Sequence, residues 1–179
     1  FFSQLESGKL RLLNEPFALP QVVASTAQDF ATAAREKGLQ MSWRIAHGVP
    51  EVVGGDAIHL KQVLTNLVHN AVKFTAKGQV DIVVENADNA PSLDRIVLRF
   101  TVRDTGIGIA PEDLERVFET FVQADAGLDR KFEGAGLGLA ISRQLVRLMG
   151  GEMTLESQSG EGCAAIFTVS FGLESDLSE

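Results

Sequence analysis

The sequence predicts an α/β fold, a mixed and mostly antiparallel sheet with its helices on one face. Three observations predict it. Helical and strand-like segments follow one another as helix, strand, helix, strand, strand, long loop, helix, strand, strand. The strands come in pairs joined by short polar or glycine-containing hairpins. The helical segments carry apolar residues at spacings of three and four, so each has one face that a sheet must cover.

The opening Phe1-Phe2-Ser3-Gln4-Leu5-Glu6-Ser7-Gly8-Lys9-Leu10 reads as the last turns of a helix stopped by Gly8, as though the chain starts inside a longer element. Pro16 and Pro20 bracket a connector. Val22, Val23, Ala27, Phe30, Ala31 and Ala34 recur at helical spacing, predicting one helix over Val22–Lys37 that Gly38 ends. Leu39, Met41, Trp43 and Ile45 alternate, which predicts a half-buried strand over Leu39–Ala46. Asp56 is a plausible N-cap for a second helix running to about Thr75. Strands are expected at Gln79–Glu85 and Arg95–Arg103, on either side of a polar loop, Asn86–Asp94. From Thr105 to Gly134 the sequence offers only one short helical piece, around Glu112–Val117. A stretch of roughly 30 residues is too long for an ordinary connector and points to a lid or binding loop. A third long helix is expected over Leu137–Met149, ended by Gly150-Gly151. Strands at Glu152–Ser157 and Cys163–Phe171 follow, joined through Gly160-Glu161-Gly162, and the acidic Glu174–Glu179 reads as a disordered tail.

The 179 residues fit one domain, and 45% hydrophobic residues are enough for a core. With 16 basic and 24 acidic residues the net charge is −8, which argues against nucleic acid as a partner but not against a small anion. The single cysteine, Cys163, excludes an intrachain disulfide, and its apolar neighbours predict a buried, inert thiol. The apolar runs fall short of the roughly 20 residues a spanning helix needs, and no signal-peptide pattern opens the chain. A cytoplasmic location is therefore expected.

Three segments carry candidate chemistry. On the second helix, Asn66, Asn70 and Lys73 share a narrow face apart from the apolar stripe Leu60, Val63, Leu64, Leu67, Val68, Ala71 and Val72. Asparagine is a poor helix former. Amide oxygens suit Mg²⁺ and a lysine suits phosphate, yet a plain solvated helix face fits the residues as well. Asp104-Thr105-Gly106-Ile107-Gly108-Ile109 follows a strand. Its carboxylate is placed to accept from an exocyclic amine such as that of adenine, or simply to open a turn. Gly134-Ala135-Gly136-Leu137-Gly138-Leu139 opens the third helix, where crowded backbone N–H groups suit an anion. It is neither the dinucleotide fingerprint nor a P-loop, since Leu139 stands where a glycine is needed and no Gly-Lys-Ser/Thr follows.

Taken together, these segments resemble the histidine kinase catalytic domain, within the superfamily that includes type II topoisomerases, Hsp90 chaperones and MutL-like proteins. Gln62 to Thr75 is similar to the N box and Asp104 to Ile109 to the G1 box. Phe118 to Asp125 is similar to the F box and Gly134 to Leu139 to the G2 box. Residues 2–10 are similar to the junction between a dimerisation helix and the catalytic domain. The resemblance implies a two-layer α/β sandwich of the Bergerat type, with ATP held between the N-box helix and a mobile lid at about 105–134. It implies residues 1–15 as the end of the dimerisation helix and linker, 16–173 as the catalytic domain, and 174–179 as a tail.

Carried over by position, Asn70 would bind Mg²⁺ and Lys73 phosphate, while Asp104 would read adenine beside Gly106, Gly108 and Ile109. Gly134, Gly136, Leu137 and Gly138 would hold phosphates, and Arg130 or Lys131 would reach the γ-phosphate. Phe118 and Phe121 would anchor the lid or dock on the dimerisation helices. Asn66 stands where the ATPase branches carry a glutamate base, so hydrolysis should be slow and transfer favoured. Ala135 and Glu133 depart from the common pattern, in which threonine and glycine are usual. None of His47, His59 and His69 lies in a phosphoacceptor context. The acceptor is therefore expected on a dimerisation domain of the same protein, acting as a homodimer, with a response regulator or receiver domain downstream. The rival readings are a superfamily ATPase, a degenerate ATP-binding signalling module, and a serine-directed kinase of the anti-sigma type.

Overall fold

The computed structural model describes residues 7–87, 92–108, 112, 135–158 and 160–173. The expected helix end over residues 1–6, the expected lid other than residues 105–108 and 112, and the acidic tail lie outside them.

Among the described residues the elements run β1 (Glu15–Ala18), α1 (Leu19–Asp29), α2 (Ala31–Glu36), β2 (Gln40–Ile45), β3 (Val52–Gly55), α3 (Ala57–Phe74), β4 (Gln79–Asn86), β5 (Arg95–Asp104), α4 (Ala135–Leu148), β6 (Met153–Gln158) and β7 (Gly162–Gly172). The strands form one sheet in the order β1-β3-β7-β5-β4-β2, with β6 also paired to β7. All pairings are antiparallel except β2 with β4. The expected mixed sheet is therefore present, and α1, α3 and α4 pack against it.

Alternation along the strands makes the core. Val80, Ile82 and Val84 of β4 and Ile96, Leu98, Phe100 and Val102 of β5 are buried, as are Phe167, Val169 and Phe171 of β7. Register puts Phe100 opposite Phe167, and their rings stack at 4.8 Å. The stripe predicted on α3 is buried in full, from Leu60 to Val72, and faces this layer. α3 lies between α1 and α4.

Four sequence expectations need correction. Pro16 lies in a strand, not a connector: β1 pairs with β3 at Pro16↔Gly54, at the edge of the sheet, where proline's missing donor costs nothing. Pro20 sits in the first turn of α1, where its fixed φ favours helix. The helix expected over Val22–Lys37 is two helices that meet at Phe30, whose ψ of 3° leaves the helical range. β2 is an edge strand, and although register sets Trp43 beside buried Ile82, its ring stays 42% exposed.

Candidate nucleotide site

The site is built where the C-terminal half of α3 meets the carboxyl end of β5. Asp56 starts α3 as expected, its Oδ1 accepting from the His59 backbone N–H at 2.9 Å. Its Oδ2 lies 2.6 Å from His59 Nδ1 and accepts from the Leu13 N–H at 2.9 Å. Burial pushes the Asp56 carboxyl up, but the backbone donors His59 and Leu13 and then the His59 ring outweigh it and hold the carboxyl below its ordinary value. At the other end, Lys37 Nζ donates to the Val72 carbonyl at 2.6 Å and the Lys73 carbonyl at 3.1 Å. A cation there satisfies open carbonyls and complements the negative helix end.

The turn after β5 is joined to three neighbours. Ile107 N–H donates to the Phe74 carbonyl at 3.4 Å, Thr105 N–H to Gln79 O at 3.3 Å, and Gly160 N–H to Ile107 O at 2.6 Å. Gly106 N–H closes the turn on Asp104 Oδ1 at 2.9 Å. Gly106 is required by close approach, because a Cβ there would lie 2.4 Å from the Phe74 carbonyl oxygen. Gly108 is required by its φ of +72°.

Between these parts lies a cavity open on one side, with about 530 Å³ of atom-free space counting the solvent at its mouth. Leu67, Asn70, Ala71 and Phe74 form its α3 wall, and Val102, Asp104, Ile107 and Gly108 the opposite one. Leu139, Leu155, Cys163 and Ala165 complete it. The lining is mainly apolar, which suits the faces of a flat aromatic ring, with an amide and a carboxylate as its polar markers.

Burial raises the Asp104 carboxyl above its ordinary value, partly offset by the backbone N–H groups of Gly106 and Cys163. Cys163 stands opposite Asp104 in the β5–β7 ladder. Burial and then the Asp104 charge push its thiol up to about 12, against a lowering contribution from the Ser157 hydroxyl. The raised thiol accords with the expected low reactivity, but Cys163 is half-buried rather than buried and lines the cavity.

Of the residues singled out in the sequence, Asn70, Asp104 and Gly108 share this cavity. Gly106 supports it from behind. Lys73 is exposed, its Nζ 5.4 Å from the centroid of the Phe74 ring at the cavity wall. Asn66 does not line the cavity; its Nδ2 donates to Ser142 Oγ of α4 at 3.0 Å. Gly136, Leu137 and Gly138 belong to the first turn of α4, which starts at Ala135, two residues earlier than expected. Ile109, Arg130, Lys131, Gly134, Phe118 and Phe121 lie outside the described residues. Leu139, Leu155, Cys163 and Ala165 were not anticipated as lining residues. Strand alternation in the sequence puts Cys163 and Ala165 on one face of β7, and the β5–β7 register sets them opposite Asp104 and Val102.

Among the described residues no cluster of three or more His, Cys, Asp and Glu side chains is placed to hold a metal. An Mg²⁺ bound mainly through substrate phosphates and water needs only one or two protein oxygens, so the amide of Asn70 fits that mode. No helix among the described residues is long and apolar enough to cross a membrane.

Comparison with known proteins agrees with this geometry. Residues 55–174 match the family described as histidine kinase-, DNA gyrase B-, and HSP90-like ATPase. The chain is 40% identical over 176 residues to the signal transduction histidine-protein kinase BarA of Escherichia coli K12, covering 98% of this chain and 19% of BarA. It thus spans about a fifth of that relative's length. Full-length ShkA in complex with AMPPNP superposes with a TM-score of 0.82 at 33% identity, over 96% of this chain and 34% of ShkA. The nucleotide-free catalytic domain of the histidine kinase ThkA gives 0.70 at 25% identity, over 87% of this chain and 94% of that domain. The family match over most of the chain, together with these likenesses, shows that the chain belongs to the histidine kinase-, DNA gyrase B- and HSP90-like ATPases.

Proposed function

We propose that this chain is the ATP-binding catalytic domain of a two-component sensor histidine kinase. It transfers the γ-phosphoryl group of ATP to a histidine on a dimerisation domain of the same protein. The observation that carries this reading is the cavity shared by Asn70 and Asp104, with an apolar lining between them. In this reading residues 1–15 lead from the dimerisation helix, 16–173 are the catalytic unit with a lid at about 105–134, and 174–179 are a tail. The whole protein acts as a homodimer on the cytoplasmic side and passes its phosphoryl group to a response regulator or receiver domain. A net charge of −8 speaks against nucleic acid as a partner.

The chemistry follows from which groups are present. Asp104 accepts from the adenine amine, and the Gly106–Gly108 turn, with Ile109, borders the base. Asn70 holds Mg²⁺, which when bound neutralises phosphate charge. Lys73 adds a cation, Gly136, Leu137 and Gly138 offer backbone N–H groups at the start of α4, and Gly134 is assigned the same phosphate-binding role. Arg130 or Lys131 reaches the γ-phosphate from the lid. No glutamate stands at position 66 to activate water, so the bound γ-phosphoryl persists until an imidazole arrives in line. Positioning and charge neutralisation then supply most of the catalysis.

The test mixes this chain with a separately produced dimerisation domain, radiolabelled ATP and Mg²⁺. Label is expected on the dimerisation domain, and not on the catalytic chain alone. Asn70→Asp is expected to lower transfer by about two orders of magnitude, the size seen when a transition-state electrostatic contact is removed, and Asp104→Asn to weaken nucleotide binding and so raise the ATP concentration that transfer needs. Nucleotide binding without any transfer would instead mark a degenerate signalling module, and rapid phosphate release without acceptor would mark an ATPase.

A further inference from the structure

We infer that Asn66 is a positioning residue, which through Ser142 fixes the first turns of α4 against the helix that carries Asn70. The inference rests on the nucleotide-binding reading above and deepens it. Asn66 Nδ2 donates to Ser142 Oγ at 3.0 Å and lies 3.4 Å from the Gly138 carbonyl oxygen, 76 and 72 residues away in sequence. Ser142 is fully buried and Asn66 half-buried, so the pair lies inside the α3–α4 interface.

Apolar side chains adjoin the contact, with Leu67 on α3 and Leu139 on α4 both lining the neighbouring cavity. Apolar packing alone resists sliding and rotation weakly. A buried polar contact sets the register, because breaking it strands a donor in low dielectric. The two helices are close here, since a Cβ built at Gly138 would lie 4.0 Å from Asn66 Cγ, an ordinary contact distance. α4 starts at Ala135, so a shift at Gly138 and Ser142 carries the helix's first amides with it.

A ligand that bridges Asn70 and the start of α4 depends on that register. A ligand that reaches only the Asp104 end does not. Without the Asn66–Ser142 contact, only a fraction of molecules hold α4 in the binding-competent place, and the apparent Kd for a bridging ligand rises by the inverse of that fraction. The alternative role for Asn66 is direct contact with phosphate, and it makes a different prediction for Ser142.

The experiment measures ATP (with Mg²⁺) and adenosine binding separately for the wild-type chain, Ser142→Ala, Asn66→Ala and the double variant. Urea midpoints are recorded alongside. Ser142→Ala is expected to weaken ATP about tenfold, equal to about 1.4 kcal/mol, while adenosine changes less than about twofold. The double variant is expected to bind ATP no worse than Asn66→Ala alone. Two results overturn the inference: ATP affinity unchanged in Ser142→Ala while Asn66→Ala weakens it, which means direct contact, or equal weakening of both ligands, which means a general packing role. A folded wild-type chain that binds neither ligand would sink the nucleotide reading itself, and this inference with it.

Discussion

Replacing Asp56 with alanine removes three interactions at once. The His59 backbone N–H loses its acceptor at 2.9 Å, the His59 ring its partner at 2.6 Å, and the Leu13 N–H its acceptor at 2.9 Å. Loss of an N-cap costs about 1 kcal/mol, and leaving the partly buried Leu13 donor unpaired about another 1–2 kcal/mol. The sum, about 2–3 kcal/mol, is a large part of the roughly 5–15 kcal/mol that holds a domain together. Asp56→Asn keeps one side-chain oxygen and should lose about half as much. Urea denaturation at pH 7 measures both. The pH dependence has a definite sign. The folded pKa lies below the ordinary value, so the contribution is complete above the usual Asp pKa of about 3.9 and is lost as pH falls through the depressed value. The gap between wild type and Asp56→Ala should therefore be flat from about pH 7 to 5 and narrow below about pH 4. Two variants within about 0.5 kcal/mol of wild type, the range of an ordinary surface substitution, would refute the reasoning.

Two further outcomes test the walls of the cavity. Gly106→Ala forces a Cβ against the Phe74 carbonyl oxygen at 2.4 Å, a backbone atom that cannot turn aside. A loss of about 1–3 kcal/mol in urea stability is expected, together with loss of adenine nucleotide binding by calorimetry. Cys163, with its thiol near pKa 12, should react with iodoacetamide at pH 8 on the order of a hundredfold more slowly than a free cysteine, after allowing for the greater reactivity of a more basic thiolate. Labelling at the free-thiol rate would mean that the pocket is wetter and less negative than its lining implies.

How much of this was legible depended on period and length. α3 was readable because its apolar stripe keeps helical spacing for 18 residues behind an aspartate cap. β4 and β5 alternate over 8 and 10 residues and stood out for the same reason. β1 and β3 did not, since four residues allow hardly two alternations, and Val52–Gly55 spends half of them on glycine. The break at Phe30 was hidden because apolar spacing runs across it unbroken. Asn70 and Asp104 were legible as candidates through local chemistry. That they share one cavity with Cys163 and Leu155 follows from sheet register, which no local window contains.

The placement of Asn70 near the end of α3 carries an electrostatic consequence. A helix C-terminus presents roughly half a negative charge, and here it lies beside a cavity proposed to receive a polyanion, in a chain of net charge −8. The geometry answers this locally. Lys37 Nζ sits on the Val72 and Lys73 carbonyls, so the terminal oxygens face a cation before they face a ligand. Lys73 adds its own charge over the Phe74 ring, at the cavity's edge. The phosphates then need not overcome the field of the whole chain, because screening at physiological salt confines it to about 8 Å. What decides binding is the charge within that radius. Under the proposed nucleotide reading, Lys37, which lies in no box and does not line the cavity, offsets the charge of the helix end beside the site, and Lys73 adds to it.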